Sequence, residues 1–441
     1  MTQSWDFDVA VVGGGPAGAA AASVLARNGH RVLVLERERF PRFHIGESQV
    51  PWIHETLARI GADKAVAAAG FIEKWGASFT TADGAADQYA DFSQAPEVPN
   101  PKAFQVPRAA FDQVLLEHAA NCGAVVLQER TAIAAVFDVE GVALTYADAE
   151  NAETRVTVGA IIDASGRAGF LAKRFGERHR DAVLQNIAVH RQYEGVPRRE
   201  GRRAGDIQMV TRPDKGWFWF IPIDARTMSV GVVVPQSVYK TAAQRTPEET
   251  LSHFLAQTPA AAQLVSRATP VSAARFDADY SYLHSRHAGD RFVLVGDAGA
   301  FLDPIFSTGV LLALQSGIEA AEVVTAGLRD GDLRASRFAD YERRLVRRYH
   351  HFRRFAAGFY NPAFRDLFFS PSSRFGIYEA VLSVLSGNWR PSWKTRLRLQ
   401  VFFGLVALQR FIPLAPHRQQ PVHLRPASTP EPPLPVRSTR P

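Results

Sequence analysis

The chain has 441 residues, 46% of them apolar and 22% charged, with a formal net charge of +7. This supplies a core for more than one subdomain and excludes a largely disordered chain, while the positive balance favours acidic or phosphorylated partners. Cys122 is the only cysteine, which excludes internal disulfides and cysteine metal clusters and fits a reducing cytoplasm.

The N-terminus enters an apolar strand at residues 7–12 without the basic and long apolar segments of a secretory signal. Gly13 to Gly18 break that strand, an Ala-rich helix runs to about Asn28, and Arg31 to Leu35 form a second strand, making a βαβ unit. Its turn fits G-x-G-x-x-G. Gly13 permits the tight turn, Gly15 lets main chain approach a pyrophosphate, Pro16 and Ala17 open the helix, and Gly18 allows close helix–strand packing. The phosphates would sit at the positive helix N-terminus. Glu36 closes the second strand, where a carboxylate binds ribose hydroxyls and disfavours a 2′-phosphate; Arg37 follows it in the candidate cofactor set.

A helix is predicted over 107–122, with strands at 124–127, 142–147 and 156–162. Segments 185–193, 207–212, 217–223 and 228–234 read as strands of a larger, mostly antiparallel sheet. Helix returns at about 247–257, a strand at 291–295 runs into Gly296-Asp297, and a long helix spans about Ser307 to Leu328. Residues 333–412 are helical by pattern, and the Pro-rich stretch from Pro416 reads as a disordered tail. The apolar run Val401 to Leu408 is too short to span a bilayer.

Three distant segments resemble the flavoprotein hydroxylase class: Asp163-Ala164-Ser165-Gly166-Arg167, Gly296-Asp297-Ala298, and Val106-Pro107-Arg108 with Phe111-Asp112. The resemblance implies FAD, with Arg108, Asp163, Gly296 and Asp297 at the cofactor. No second G-x-G-x-x-G with its own strand and acidic residue is visible, so no separate NAD(P)H domain is expected. Four further segments carry a resemblance to the flavin-dependent halogenases. Gly216-Trp217-Phe218-Trp219-Phe220-Ile221-Pro222 contains W-x-W-x-I-P, and on a strand Trp217, Trp219 and Ile221 share a face. Phe301-Leu302-Asp303-Pro304-Ile305-Phe306-Ser307-Thr308-Gly309 matches F-x-x-P-x-x-S-x-G before a long helix, whose free N–H groups near Thr308 and Gly309 can face an anion. Phe71 to Ala77 resembles the segment bearing the family's essential lysine, here Lys74. Phe40 to Ser48, with Gly46, Glu47 and Ser48, looks like the family loop near the pyrophosphate and flavin ring.

The resemblance covers about residues 7 to 350 and implies an α/β fold. An FAD-binding Rossmann-type βαβ domain of the flavoprotein hydroxylase class (1–350) would interleave with an antiparallel-sheet substrate region (about 70–105 and 180–285). A C-terminal helical region (351–415) and a tail (416–441) would follow. Trp217, Trp219, Ile221 and Pro222 would form a wall between substrate and flavin, with Pro304 beside the cofactor and Thr308 and Gly309 at the halide. A separate flavin reductase would supply reduced FAD, which with O2 and chloride or bromide gives hypohalous acid. That acid would travel to Lys74, which hydrogen-bonds it or becomes a haloamine, and an electron-rich ring would take the halogen. Tryptophan halogenases carry a glutamate two residues before the motif threonine; Phe306 stands there in this chain, which points to phenol or pyrrole acceptors, free or tethered to an acyl or peptidyl carrier protein. The rivals are a hydroxylase on the same fold, a flavin reductase acting on prenyl or polyketide chains, and an inactive flavin-binding assembly partner.

Other features fit a small-molecule enzyme. Eight arginines between residues 334 and 354 suggest either a solvated face or a docking face for an acidic carrier. No nucleic-acid reading module accompanies the charge, and no metal set is expected. His44 and His190 are candidates for the cavity wall, with a structural role as the plainer alternative.

Overall fold

The computed structural model describes residues 5–241, 245–371 and 374–417. The expected disordered tail therefore lies, from residue 418 on, outside the described residues.

The first sheet carries the βαβ unit. Its parallel strands run in the order Phe292–Leu294, Glu153–Asp163, Phe7–Val12, Val32–Glu36 and Val125–Gln128. Thr131–Phe137 and Val142–Ala147 extend it antiparallel from Glu153–Asp163. The helix Pro16–Arg27 is built of alanine because it is enclosed on nearly every side: Ala19, Ala20, Ala21 and Ala22 are all fully buried. Behind it runs Gly309–Asp330, so close that a Cβ at Gly317 would lie 2.2 Å from the Ala17 carbonyl oxygen. Among the described residues this is the one helix long and apolar enough to cross a membrane, and here it is a core helix.

The second sheet runs in the order Ala300–Phe301, Arg275–His284, Arg178–Glu194, Thr227–Pro235, Trp217–Pro222, Ile207–Thr211, Gly76–Thr80 and Asp87–Asp91. It is antiparallel except where Ile207–Thr211 meets Gly76–Thr80. Trp217, Trp219 and Ile221 face one core, whereas Phe218 and Phe220 face another, shared with Leu251 and Phe254 of the helix Pro247–Ala256. That is the two-residue alternation of a strand buried on both sides.

The predicted strands and the long helix stand where the periodicity placed them. Arg275–His284 and Thr131–Phe137 were not anticipated: Arg, Asp and Ser interrupt the first, and three alanines weaken the β signal of the second. The C-terminal helical stretch divides into Ala339–Phe359, Pro362–Phe368, Ile377–Leu385 and Trp393–Leu408. Their inward side chains form an aromatic cluster in which Phe364 meets Phe355, Phe368 and Phe402. This cluster is continuous with the Trp217 face of the second sheet.

Candidate active site

A cleft of about 680 Å³ opens where the two sheets meet, within the size range of small-molecule and cofactor sites. Its first wall is the glycine turn. Gly13 has φ +107°, and a Cβ there would lie 2.3 Å from the Ala164 oxygen. A Cβ on Gly18 would lie 1.9 Å from the Gly13 oxygen, so Gly18 is a packing glycine and does not line the cleft. Gly15 differs: the nearest atom to its Cβ would be Arg42 Nη2 at 3.5 Å. The space before Gly15 is open, and the helix it precedes has no side-chain cap. Uncapped N–H groups facing open space suit a phosphate.

Further along the cleft, Glu36 Oε2 accepts from Gly14 N at 2.7 Å and its Oε1 from Glu38 N at 2.9 Å. Arg37 lies beside it. Arg108 grips Asp112 through Nε (2.7 Å) and Nη2 (2.8 Å), and Arg42 Nη1 donates to the same carboxylate at 3.1 Å. Gly46 at φ +105° lets Arg108 approach; a Cβ there would meet Arg108 Nη1 at 2.8 Å. Arg42 is a cleft cation overlooked in the sequence reading, although it sits inside the Phe40 to Ser48 segment. His44 also lines the cleft, and burial followed by the Arg108 charge pushes it down to about 4.

One expected member of the cofactor set, Asp163, and one expected member of the wall, Pro222, do not line the cleft. Asp163 is fully buried and accepts from the main-chain N–H groups of Ser165 (3.0 Å), Leu171 (2.6 Å) and Ala172 (3.3 Å). It holds the following turn in shape, and Ala164 to Arg167 face the cleft in its place. Pro222 alternates away from the wall face and does not line the cleft. Gly296, Asp297, Pro304 and Gly309 do line it. Burial raises the Asp297 carboxyl against the pull of Arg167, Arg108 and Arg178. Thr308, buried, precedes the long helix with no side-chain cap, so the first N–H groups of that helix are free beside Gly309.

Two indoles line one side of the cleft, and their placement depends on a glycine. Trp217, Trp219 and Ile221 line the cleft, with the two indole centroids 5.9 Å apart. Trp219 lies across Gly231 of the neighbouring strand, where a Cβ would come 2.2 Å from the indole. Each indole N–H is held. Trp219 Nε1 donates to Ser229 Oγ at 3.2 Å, and Ser229 in turn hydrogen-bonds Glu47. Glu47 is buried at the cleft edge with Oε2 unpartnered, and burial raises its carboxyl. Trp217 Nε1 donates to Tyr360 OH at 2.9 Å; Tyr360 OH donates to Asp303 Oδ2 at 2.8 Å; Asn186 Nδ2 donates to the same oxygen at 2.7 Å. Burial pushes Asp303 up to about 6 against these hydrogen bonds. The Tyr360 hydroxyl thus ties the C-terminal helices to both the wall and the Pro304 turn by hydrogen bonds. His190 lies under Trp219 and Phe43 and pairs with Asp277 at 3.2 Å.

Lys74 is 2% exposed and sits behind the cleft lining. Its Nζ donates to Ser48 Oγ at 2.9 Å and to the Gln49 oxygen at 2.8 Å, and lies 5.3 Å from the Phe92 ring centroid. Ser48 lines the cleft, so a single side chain separates Lys74 from it. Burial pushes the amine down to about 7, partly offset by Asp206. Asp206 was not singled out from sequence; it accepts from Trp75 N, Gly76 N and Tyr89 OH and comes from a strand edge 132 positions later. Phe306 packs on Phe359, with ring centroids 5.8 Å apart.

The arginines of 334–354 do not make a free basic face. Arg334, Arg337, Arg343, Arg344, Arg348 and Arg353 all pair with carboxylates.

A family model described as an FAD binding domain matches residues 6–352. A flavin-dependent halogenase of Armillaria mellea is 35% identical over 367 residues, 75% of this chain and 68% of that protein. The 1H-pyrrole-2-carbonyl-[peptidyl-carrier protein] chlorinase of Pseudomonas fluorescens is 34% identical over 359 residues, 76% of this chain and 80% of that protein. The solved structure of the myxobacterial chondrochloren halogenase superposes with a TM-score of 0.76 at 31% identity, covering 90% of this chain and 97% of that one. With this FAD-binding-domain match and relatives of this closeness, the chain is an FAD-dependent oxidoreductase and belongs to the flavin-dependent halogenase family.

Proposed function

We propose that this enzyme halogenates an electron-rich phenol or pyrrole, with Lys74 delivering the halogen. The supporting observation is Lys74 itself: a buried amine held near neutrality, one side chain behind a flavin-sized cleft walled by two indoles. Bound and reduced, FAD supplies with O2 the oxidising power that turns halide into hypohalous acid. The main chain at Gly13 and Gly15, with Arg42, holds the pyrophosphate, while Glu36 takes ribose hydroxyls and Asp297 the ribityl chain. Arg108 is placed by Asp112 to face the flavin end. The free N–H groups at Thr308 and Gly309 hold the halide. Trp217 and Trp219 keep the aromatic acceptor from the flavin.

A desolvated lysine near pH 7 is partly a neutral amine and so nucleophilic. It takes halogen from hypohalous acid with loss of water. The arene then attacks that halogen, the ring proton leaves, and the amine returns. The carrier-bound pyrrole in the name of the Pseudomonas chlorinase makes a tethered acceptor a natural extension. A separate flavin reductase supplies the reduced cofactor in the cytoplasm.

The test combines the purified protein, FAD, a generic flavin reductase with NADH, bromide and a resorcinol probe, read by mass spectrometry. A bromine isotope doublet that vanishes in Lys74→Ala is the expected outcome. A product gaining one oxygen overturns the halogenase reading in favour of a hydroxylase.

A further inference from the structure

The helix Trp393–Leu408 is apolar on two sides and buries only one. Leu399, Phe402 and Val406 enter the aromatic core. On the opposite side Trp393, Leu397 and Val401 recur every four residues, and Leu408, Phe411 and Ile412 extend the stripe. Trp393 is 70% exposed, Leu397 59% and Phe411 84%. A helix presents a continuous face at this spacing, and exposed apolar stripes of this length mark interaction sites.

The charged side chains of the helix and of the turn after it are all basic, and the carboxylate of Glu97 is taken up in capping the helix start, where it accepts from Ser392 N and Thr395 Oγ1. Lys394, Arg396, Arg398 and Arg410 flank the stripe, and among the described residues none of the four forms an ion pair. From Ala380 to the end the sequence holds nine Lys and Arg but a single carboxylate, Glu431. This contrasts with the arginines of 334–354, most of which are neutralised by neighbouring carboxylates.

We propose that this face docks the enzyme peripherally on an anionic bilayer. The helix would lie in the interfacial plane for about 24 Å, with Leu397, Val401 and Leu408 in the acyl boundary. Trp393, at one end of the stripe, occupies the headgroup level that its amphipathic ring favours, and Phe411, at the other, adds to the apolar face. The basic side chains meet the lipid phosphates, each adding to the attraction. A second copy fits the face less well, because a two-fold pairing sets two predominantly basic rims against each other, with only the helix-capping Glu97 of each copy to offset them. The buried side of the helix stays packed on Phe364 and Phe355, so the chain lies on the membrane and does not cross it.

The test is co-sedimentation of the full chain with vesicles of phosphatidylcholine alone and of phosphatidylcholine with a third phosphatidylglycerol. Binding to the anionic vesicles only, weakened by added salt, is expected. The double variant Leu397→Glu, Val401→Glu should lose about tenfold or more of that binding while melting at the wild-type temperature, since both side chains are exposed. Trp393→Ala should weaken binding in the same direction. No binding to anionic vesicles overturns the proposal. Equal binding by wild type and the double variant also overturns it, by assigning the attraction to the basic residues alone. A wild-type dimer in sedimentation velocity that the double variant dissolves overturns it in favour of a second copy.

Discussion

At the Gly13–Gly18 turn the cleft is shaped by main chain and by the absence of side chains; at the Trp217–Trp219 strand it is shaped by side chains gathered from distant segments. The turn needs only its own glycines, the Ala164 carbonyl beside Gly13, and a helix start with no cap. The indole wall needs Gly231 beneath Trp219, Ser229 and Glu47 at one N–H, and Tyr360 and Asp303 at the other. A turn suited to a phosphate can therefore be written almost entirely in six consecutive residues. A wall of side chains has to be assembled, and it fails wherever one of its remote supports fails.

Substitutions on the two sides test that contrast. The largest effect is expected at Lys74. Lys74→Ala should lower halogenation by roughly a thousandfold or more while flavin absorbance of the holoenzyme stays intact. Lys74→Arg should fail to restore it, since a guanidinium keeps the hydrogen-bond donors but cannot become a neutral nucleophile; a Lys74→Arg enzyme at wild-type rate would rule out the amine chemistry. Next comes Gly15→Val, which puts a branched side chain into the open space before the helix and should abolish FAD occupancy in equilibrium dialysis. Full occupancy would show that the pyrophosphate lies elsewhere.

Gly231→Val should expel the Trp219 indole, cost about 1–3 kcal/mol through overpacking, and raise hydrogen peroxide or oxygenated product at the expense of halogenated product. Unchanged product partition would mean that the wall does not separate the reactants. Tyr360→Phe leaves Trp217 Nε1 and Asp303 Oδ2 each one partner short, and should cost about 1–3 kcal/mol in denaturant titration. A neutral result would place little weight on the link from the C-terminal helices.

A further effect concerns pH. The folded-state value of Lys74 is about 7, below that of an exposed lysine, so the unfolded chain binds more protons between that value and about 10.4. Wild type should therefore gain stability relative to Lys74→Met as pH rises through that window, and the difference should be flat below it. A gap that does not change between pH 7 and 9.5 would mean that the lysine is not desolvated.

The βαβ unit, the long helix at Gly309 and the pattern of Trp217, Trp219 and Ile221 were legible in the sequence because each is a local arrangement whose period or glycine spacing is dictated by backbone geometry. Side-chain direction outside that alternation was not. Asp163 stands at the predicted turn yet points inward to cap it, and Pro222 alternates off the wall. Asp206, Gly231 and Tyr360 carried no local signal, since each matters only through a partner far along the chain. By itself the sequence determined where main chain must turn, where it must come close and which face of a strand is apolar. Only the tertiary structure decided which buried polar groups meet, because burial and partnership are set by segments that sequence spacing does not relate.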